Sequence, residues 1–222
     1  MILQLIFLRH GETAYTHVFP DLTEIGKQTV VQSAHLITKI LDPTTHISFR
    51  SSPAARAQGS ASILASELGY TEEIYIVPEI APLAFVNREA GMNLLQEYVQ
   101  KGGRKAVDKA YDTDDCFEDA AIFEPRTIVK KRFFGYIQTL ILEALKGDQF
   151  EQTIIHVSHF ECLHHLANRF LDLSSNYRTL ENGELIILDV VKKSSDNGEI
   201  ILTFRNEQKV YVSLEDFLLI VS

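Results

Sequence analysis

Arg9 and His10 close a run of four apolar residues, Leu5-Ile6-Phe7-Leu8, and Gly11-Glu12-Thr13 follows them. Such a run, bounded by a charged turn, reads as a strand buried on both faces. No packing argument asks for a cation, an imidazole and a glycine at its end, whereas ligands of open α/β sheets sit at the carboxyl ends of strands. A histidine there can serve as nucleophile, base or metal ligand. The arginine fork suits a phosphoryl or carboxylate group, and Gly11 lets backbone N–H groups come close to an anion.

Two more strand ends carry similar residue types. Ile47-Ser48-Phe49-Arg50 reads as a short strand, and Ser51-Ser52-Pro53-Ala54-Ala55-Arg56 follows. Ser52 as cap and Pro53 in the first turn mark a strand-to-helix junction, which is a ready anion site. Arg56 in that first turn opposes the helix dipole unless an anion compensates it. Thr153 to Val157 reads as a second buried strand, ending at Ser158-His159. His159 falls at the junction with the next helix. His156 lies inside the strand and reads as core, and His164 and His165 as packing or surface positions in the helix.

Helical and extended segments alternate around these points. Thr23 is placed to cap a helix carrying Val30, Ala34, Ile37 and Leu41, with Pro43 after its end. Ala57, Ala61, Leu64 and Leu68 continue the second helix until Gly69. Ile74-Tyr75-Ile76-Val77 is a third strand. From about 83 to 126 the periodicity degrades, around Gly102-Gly103 and the acidic run 112–119, which lacks the glycine and terminal Glu of a calcium loop. This stretch reads as a helical insertion covering the strand ends as a lid. Pro125 then opens an amphipathic helix with Ile128, Phe133, Ile137, Leu140, Ile141 and Ala144, closed by Gly147. Asn182-Gly183 precedes two further strands, Glu184 to Val191 and Glu199 to Phe204, and Phe217 to Val221 forms a docked terminal element.

A chain of 222 residues, 45% hydrophobic and 23% charged, fits one α/β domain. The net charge of −9 argues against a general nucleic-acid binder. No apolar run is long enough to span a membrane or form a signal segment. Cys116 and Cys162 form no CxxC pair and no disulfide framework, which fits a reducing cytosol. No feature of the sequence fixes the oligomeric state.

Taken in order, Leu-Arg-His-Gly-Glu-Thr (8–13), Leu-Thr-Glu-x-Gly (22–26), Ser-Ser-Pro-x-x-Arg-Ala-x-x-Ser-Ala (51–61), Val-Ser-His (157–159) and a late Asn-Gly resemble the histidine phosphatase superfamily, the phosphoglycerate-mutase-like fold. The resemblance implies a three-layer α/β/α sandwich around a mainly parallel sheet. It also implies a metal-independent phosphatase without a cofactor, acting on small phosphorylated molecules. His10 would attack phosphorus in line and form a phosphohistidine, which splits one difficult transfer into two easier ones. Arg9, Arg56 and His159 would hold the equatorial oxygens, with the backbone of Gly11 and Phe160 contributing to the phosphate site.

Three positions depart from the family pattern. Phe160 stands where a glycine usually follows the second histidine, and Thr16 where an asparagine is frequent. The family places a proton-donating Glu soon after the third strand; Glu79 fits that place best, with Glu89 its rival. The mutase lid motif Glu-Arg-x-Tyr-Gly has no clear counterpart, so a phosphatase is expected over a mutase. The alternative from another class is a phospho-ligand-binding scaffold without turnover. Arg88, Lys101, Arg104, Lys105 and Arg126 could each meet a second anionic group of the substrate, but read first as surface charges.

Overall fold

All seven residues of β1 (Leu3–Arg9) are buried, because the strand lies mid-sheet between β4 (Gln152–Ser158), parallel to it, and β5 (Leu185–Lys192), antiparallel. The computed structural model describes residues 1–14, 22–147, 152–171, 180–193, 198–204 and 208–221. The remaining strands of this part are β2 (His46–Ser51), β3 (Ile74–Ile76), β6 (Gly198–Phe204) and β7 (Gln208–Ser213). They form a seven-stranded sheet in the order β3-β2-β4-β1-β5-β6-β7.

The expectation of a mainly parallel sheet is met over half of it. β3, β2, β4 and β1 run parallel, while β5, β6 and β7 join by antiparallel pairing. Helices α1 (Glu24–Thr38) and α2 (Ala55–Glu67) supply crossover connections of the kind that parallel pairing needs. The strands after β5 are joined by connections too short for a crossover helix, and so they fold back on themselves. β7, following the Phe204 strand, is an element the sequence reading did not separate.

Side chains alternate across β1. Ile6 and Leu8 pack with Val30, Ala34, Ile37, Ala57, Ala61 and Leu64 of α1 and α2. Leu3, Leu5 and Phe7 face the other layer, built by α4 (Arg126–Lys146), α5 (Phe160–Leu171) and α6 (Leu214–Val221). Phe133, Ile137 and Ile141 of α4 are buried there, but Ile128, counted in its apolar face above, is exposed and Val129 takes the inward position. Phe217 anchors α6 in the same core, as expected of a docked terminal element. No described helix is long and apolar enough to cross a membrane.

Between β3 and α4 runs α3 (Arg88–Thr113), capped by Asn87 and broken at Gly102-Gly103. Gly103 has φ 67° and ψ −159°, a backbone conformation essentially reserved for glycine. The break redirects the second half of the helix, residues 104–113, onto α5. Tyr111 donates to the Glu161 carbonyl at 3.2 Å, and Asp112 accepts from His164 at 3.0 Å and Asn168 at 3.1 Å.

Candidate active site

Arg9 of β1 and Ser158 of β4 are registered partners, so His10 and His159 follow at the same level of two neighbouring parallel strands. Both are buried, their ring centroids 5.0 Å apart and tilted by 57°. The His10 N–H donates to the Ser158 carbonyl at 3.0 Å, and the Ser52 N–H at the end of β2 to the Val157 carbonyl at 3.0 Å. The carboxyl ends of β1, β2 and β4 thus form one floor.

The His10 ring is oriented by its own loop. Nδ1 lies 2.7 Å from the Gly11 carbonyl, which can only accept, so Nδ1 carries the proton. Nε2 is left with its lone pair, and Arg56 Nε donates to it at 3.0 Å. Burial is the main reason the His10 pKa lies well below the ordinary imidazole value; Arg56, Arg9 and Arg104 add to it, against the Gly11 hydrogen bond. His159 is lowered well below its ordinary value as well, by burial first and then by His10 and the three arginines.

The motifs around His10 have local structural jobs. A Cβ on Gly11 would come within 2.4 Å of the Gly26 carbonyl, and one on Gly26 within 2.2 Å of the Glu12 carbonyl. The two backbones therefore pack at a distance that only glycine permits. Thr23 caps α1 as expected, accepting from the Gly26 N–H at 2.9 Å, and its hydroxyl donates to Glu12 at 2.8 Å. On the far side, Gly183 (φ 77°) donates its N–H to the Arg9 carbonyl at 2.9 Å, and Asn182 Nδ2 donates to the His10 carbonyl at 2.7 Å. Ser60 accepts from the Gly11 N–H at 3.1 Å. Neither Asn182 nor Ser60 was singled out as a site residue from sequence, although the Asn-Gly pair was noted.

Ser52 has a different role from the helix cap expected of it. The α2 N-cap is Ala54, with no side-chain bond. The Ser52 hydroxyl accepts from the Ala54 N–H at 3.2 Å and sits 2.7 Å from His159 Nε2. His159 Nδ1 is buried and has no hydrogen-bond partner among the described residues.

Arg9 is almost wholly enclosed, with 2% of its surface exposed. Its guanidinium lies 5.2 Å from the centre of the Phe160 ring, donates through Nη1 to the Leu180 carbonyl, and stands 3.5 Å from Asp108. Phe160, in place of the usual glycine, begins α5 and lends that ring as a platform. Asp108 was not foreseen. It is buried, and its other oxygen accepts from Arg104 Nε at 2.9 Å. Burial pushes its pKa up, with Arg104 and Arg9 acting against. Arg104 is not a free surface charge: 37% of its side chain is exposed, but its Nε is fixed on the buried Asp108 carboxylate. The sequence shows a Gly-Gly break followed by Arg and Asp at i,i+4 spacing, a pattern that a solvated helix face shares. Arg126 is likewise no surface charge, since it is half-buried and donates to the carbonyls of Tyr111 (2.9 Å) and Asp112 (2.8 Å). Lys101 and Lys105 do stay exposed, paired with Glu97 and Glu181.

Glu79 lies in the short 3-10 turn Pro78–Ile80 at the end of β3. The turn is tied to the floor, Ser158 Oγ donating to the Ile80 carbonyl at 2.9 Å, and Arg132 of α4 donates to the Glu79 carbonyl at 2.6 Å. Glu79 is exposed, as is Glu89 in the first turn of α3. Thr16 lies outside the described residues. Among the described residues no group of three or more His, Cys, Asp or Glu is placed to hold a metal ion.

Three solved structures share this arrangement of elements. Bacillus stearothermophilus YhfR has a TM-score of 0.63 at 17% identity, covering 93% of this chain and 98% of that one. A mycobacterial glucosyl-3-phosphoglycerate phosphatase gives 0.58 at 19%, covering 91% and 98%. A phosphoserine phosphatase from Entamoeba histolytica gives 0.58 at 18%, covering 92% and 97%. No protein of curated function matches by sequence. The family model of the histidine phosphatase superfamily, branch 1, matches residues 5–197. Two imidazoles at equal strand levels, with arginines beside them, lie wholly within that match, and the chain belongs to the histidine phosphatase superfamily.

Proposed function

We propose that this protein is a metal-independent phosphatase that hydrolyses small phosphomonoesters through a phosphohistidine on His10. The observation that carries this reading is the His10 tautomer: a proton fixed on Nδ1 by Gly11 and a lone pair on Nε2 held by Arg56. On substrate arrival the Arg56 fork turns from the imidazole to the phosphoryl oxygens and frees that lone pair. Nε2 bonds to phosphorus as the ester P–O bond breaks, and the leaving oxygen takes a proton from a carboxyl group. Glu79 is assigned that role, its turn being tied to the strand end, with Glu89 the rival. The resulting carboxylate accepts a proton from water, which attacks phosphorus, and orthophosphate leaves a neutral His10. Arg9, Arg56 and His159 hold the equatorial oxygens, His159 through Nδ1, which has no hydrogen-bond partner among the described residues and carries the proton when Ser52 donates to Nε2. The guanidinium groups supply the positive charge that phosphoryl transfer needs. The backbone of Gly11 and Phe160 completes the phosphate site.

Segment 83–126 acts as an insertion that roofs this pocket within one domain. We place the protein in the cytoplasm, where the free thiols of Cys116 and Cys162 persist. Its acidic balance disfavours nucleic acid as a partner. The test is hydrolysis of p-nitrophenyl phosphate together with trapping of a labelled phosphohistidine. Turnover and label in the parent, and neither in His10→Ala, are expected; equal turnover by both proteins refutes the reading. Binding of phosphate without label or turnover would instead identify a phospho-ligand scaffold, the reading favoured by the unanchored Glu79 carboxylate. Interconversion of phosphoglycerates dependent on a bisphosphorylated primer would identify a mutase.

A further inference from the structure

We propose that Asp108 is a positioning residue for the phosphoryl-transfer site: its carboxylate fixes Arg9 and Arg104 as a pair and offsets their charge, so that the pocket binds a phosphoryl group without retaining orthophosphate. This rests on the phosphatase reading above.

A carboxylate in a pocket for anions opposes the ligand, so its presence there calls for a physical reason. Asp108 has 2% of its surface exposed and uses its two oxygens on different partners, Oδ2 facing Arg9 Nη1 at 3.5 Å and Oδ1 accepting from Arg104 Nε at 2.9 Å. Among the described residues, the contacts of Arg9 besides Asp108 include a carbonyl and an aromatic face, neither of which carries charge. Asp108 is a described carboxylate that both compensates Arg9 and helps set the direction of its fork. It reaches this place because α3 breaks at Gly102-Gly103 and the redirected half-helix packs on α5 through Tyr111 and Asp112. Arg104 and Asp108, four residues apart on that half-helix, arrive together.

The consequence concerns rate more than affinity. Uncompensated guanidinium charge strengthens binding of substrate, transition state and product alike, and such uniform binding does not raise kcat. It slows the release of orthophosphate. A fork with no fixed direction also loses the positioning on which in-line transfer depends.

The experiment measures kcat on p-nitrophenyl phosphate and orthophosphate affinity by calorimetry on the same proteins: parent, Asp108→Asn, Asp108→Glu, and the double variant Asp108→Asn with Arg104→Gln. In Asp108→Asn, kcat falls by about tenfold or more while orthophosphate binds about three- to tenfold more tightly. Asp108→Glu keeps the parent's orthophosphate affinity. The double variant removes one charge of each sign, which returns affinity to within about threefold of the parent while kcat stays low. If Asp108→Asn does not fold, the double variant carries the test, and parental kcat in it overturns the proposal. So does an Asp108→Asn protein with unchanged kcat and affinity, or one whose orthophosphate affinity weakens in step with kcat, as loss of mere structural support would give. A parent that neither turns over the ester nor binds orthophosphate sinks the phosphatase reading itself, whereas an active parent with an indifferent Asp108 sinks only this inference.

Discussion

The floor and the proposed roof of the candidate site are held by different forces. The floor, the ends of β1, β2 and β4, is set by strand register and backbone hydrogen bonds: His10 to Ser158, Ser52 to Val157, Gly183 to Arg9. The roof, the second half of α3, is set by one glycine break and by side-chain pairs such as Asp112 with His164 and Arg126 with two backbone carbonyls. A backbone ladder leaves the floor few alternatives, because moving one residue would break every bond in the register. Side-chain pairs between half-buried groups are weaker and separable. In the proposed function the chemistry falls to the rigid part, and in the further inference its tuning falls to the part that can be altered.

The sharpest break of this contrast is on the floor. His10→Ala removes the nucleophile and should lower kcat at least about a thousandfold, with thermal unfolding close to the parent's. Substantial residual turnover would move the chemistry elsewhere. Arg56→Ala removes both the hydrogen bond to Nε2 and a phosphoryl donor, and kcat should fall on the order of 10²–10³-fold. On the roof, Gly103→Ala meets the positive-φ backbone, and the unfolding free energy measured in urea should drop by about 1–3 kcal/mol. Its loss in kcat/KM should be smaller than that of either floor variant; a larger one would make the roof part of the chemistry.

Acid should separate the two regions more gently. Burial holds His10 and His159 well below the ordinary imidazole value, and His156, stacked on Phe7 in the floor, down to about 3. Above pH 6.5 these imidazoles are neutral both folded and unfolded. Below it the unfolded chain takes up protons that the folded chain refuses, so stability falls with pH, by at most about 1.4 kcal/mol per unit for each histidine. His156→Gln should flatten that slope by about one proton in a series of melts between pH 6.5 and 5. In the roof, the His164 hydrogen bond holds Asp112 below its ordinary value. Its contribution is present above the usual carboxylate pKa and is lost only as pH falls through the lowered one, in stronger acid. In the same buffers, kcat/KM should not show the midpoint near 6.5 of an ordinary imidazole nucleophile.

Much of the floor could be read from residue order because its motifs are local. An apolar run ending in Arg-His-Gly implies a buried strand with chemistry at its end, and the structure places it mid-sheet. Gly26 was readable as part of helix initiation, but not as the residue whose missing Cβ lets Gly11 approach. The cap expected at Ser52 falls two residues on, at Ala54, and Ser52 meets His159 instead, since a hydroxyl at a helix entry satisfies cap statistics whether or not a histidine waits 107 positions later. Arg104 and Asp108 carried no periodicity that separated them from a solvated helix face, and only the fold of α3 onto α5 turns that face inward.

The order of residues along this chain determined its alternation of strands and helices, and which strand ends carry imidazoles and guanidinium groups, because those signals lie within single elements and their junctions. The tertiary structure decided the antiparallel half of the sheet, the burial of Arg9 against Phe160, and the carboxylate between two arginines. The contacts that bury Arg9 join residues 99 to 171 positions apart, and they exist only once both faces of the sheet are covered.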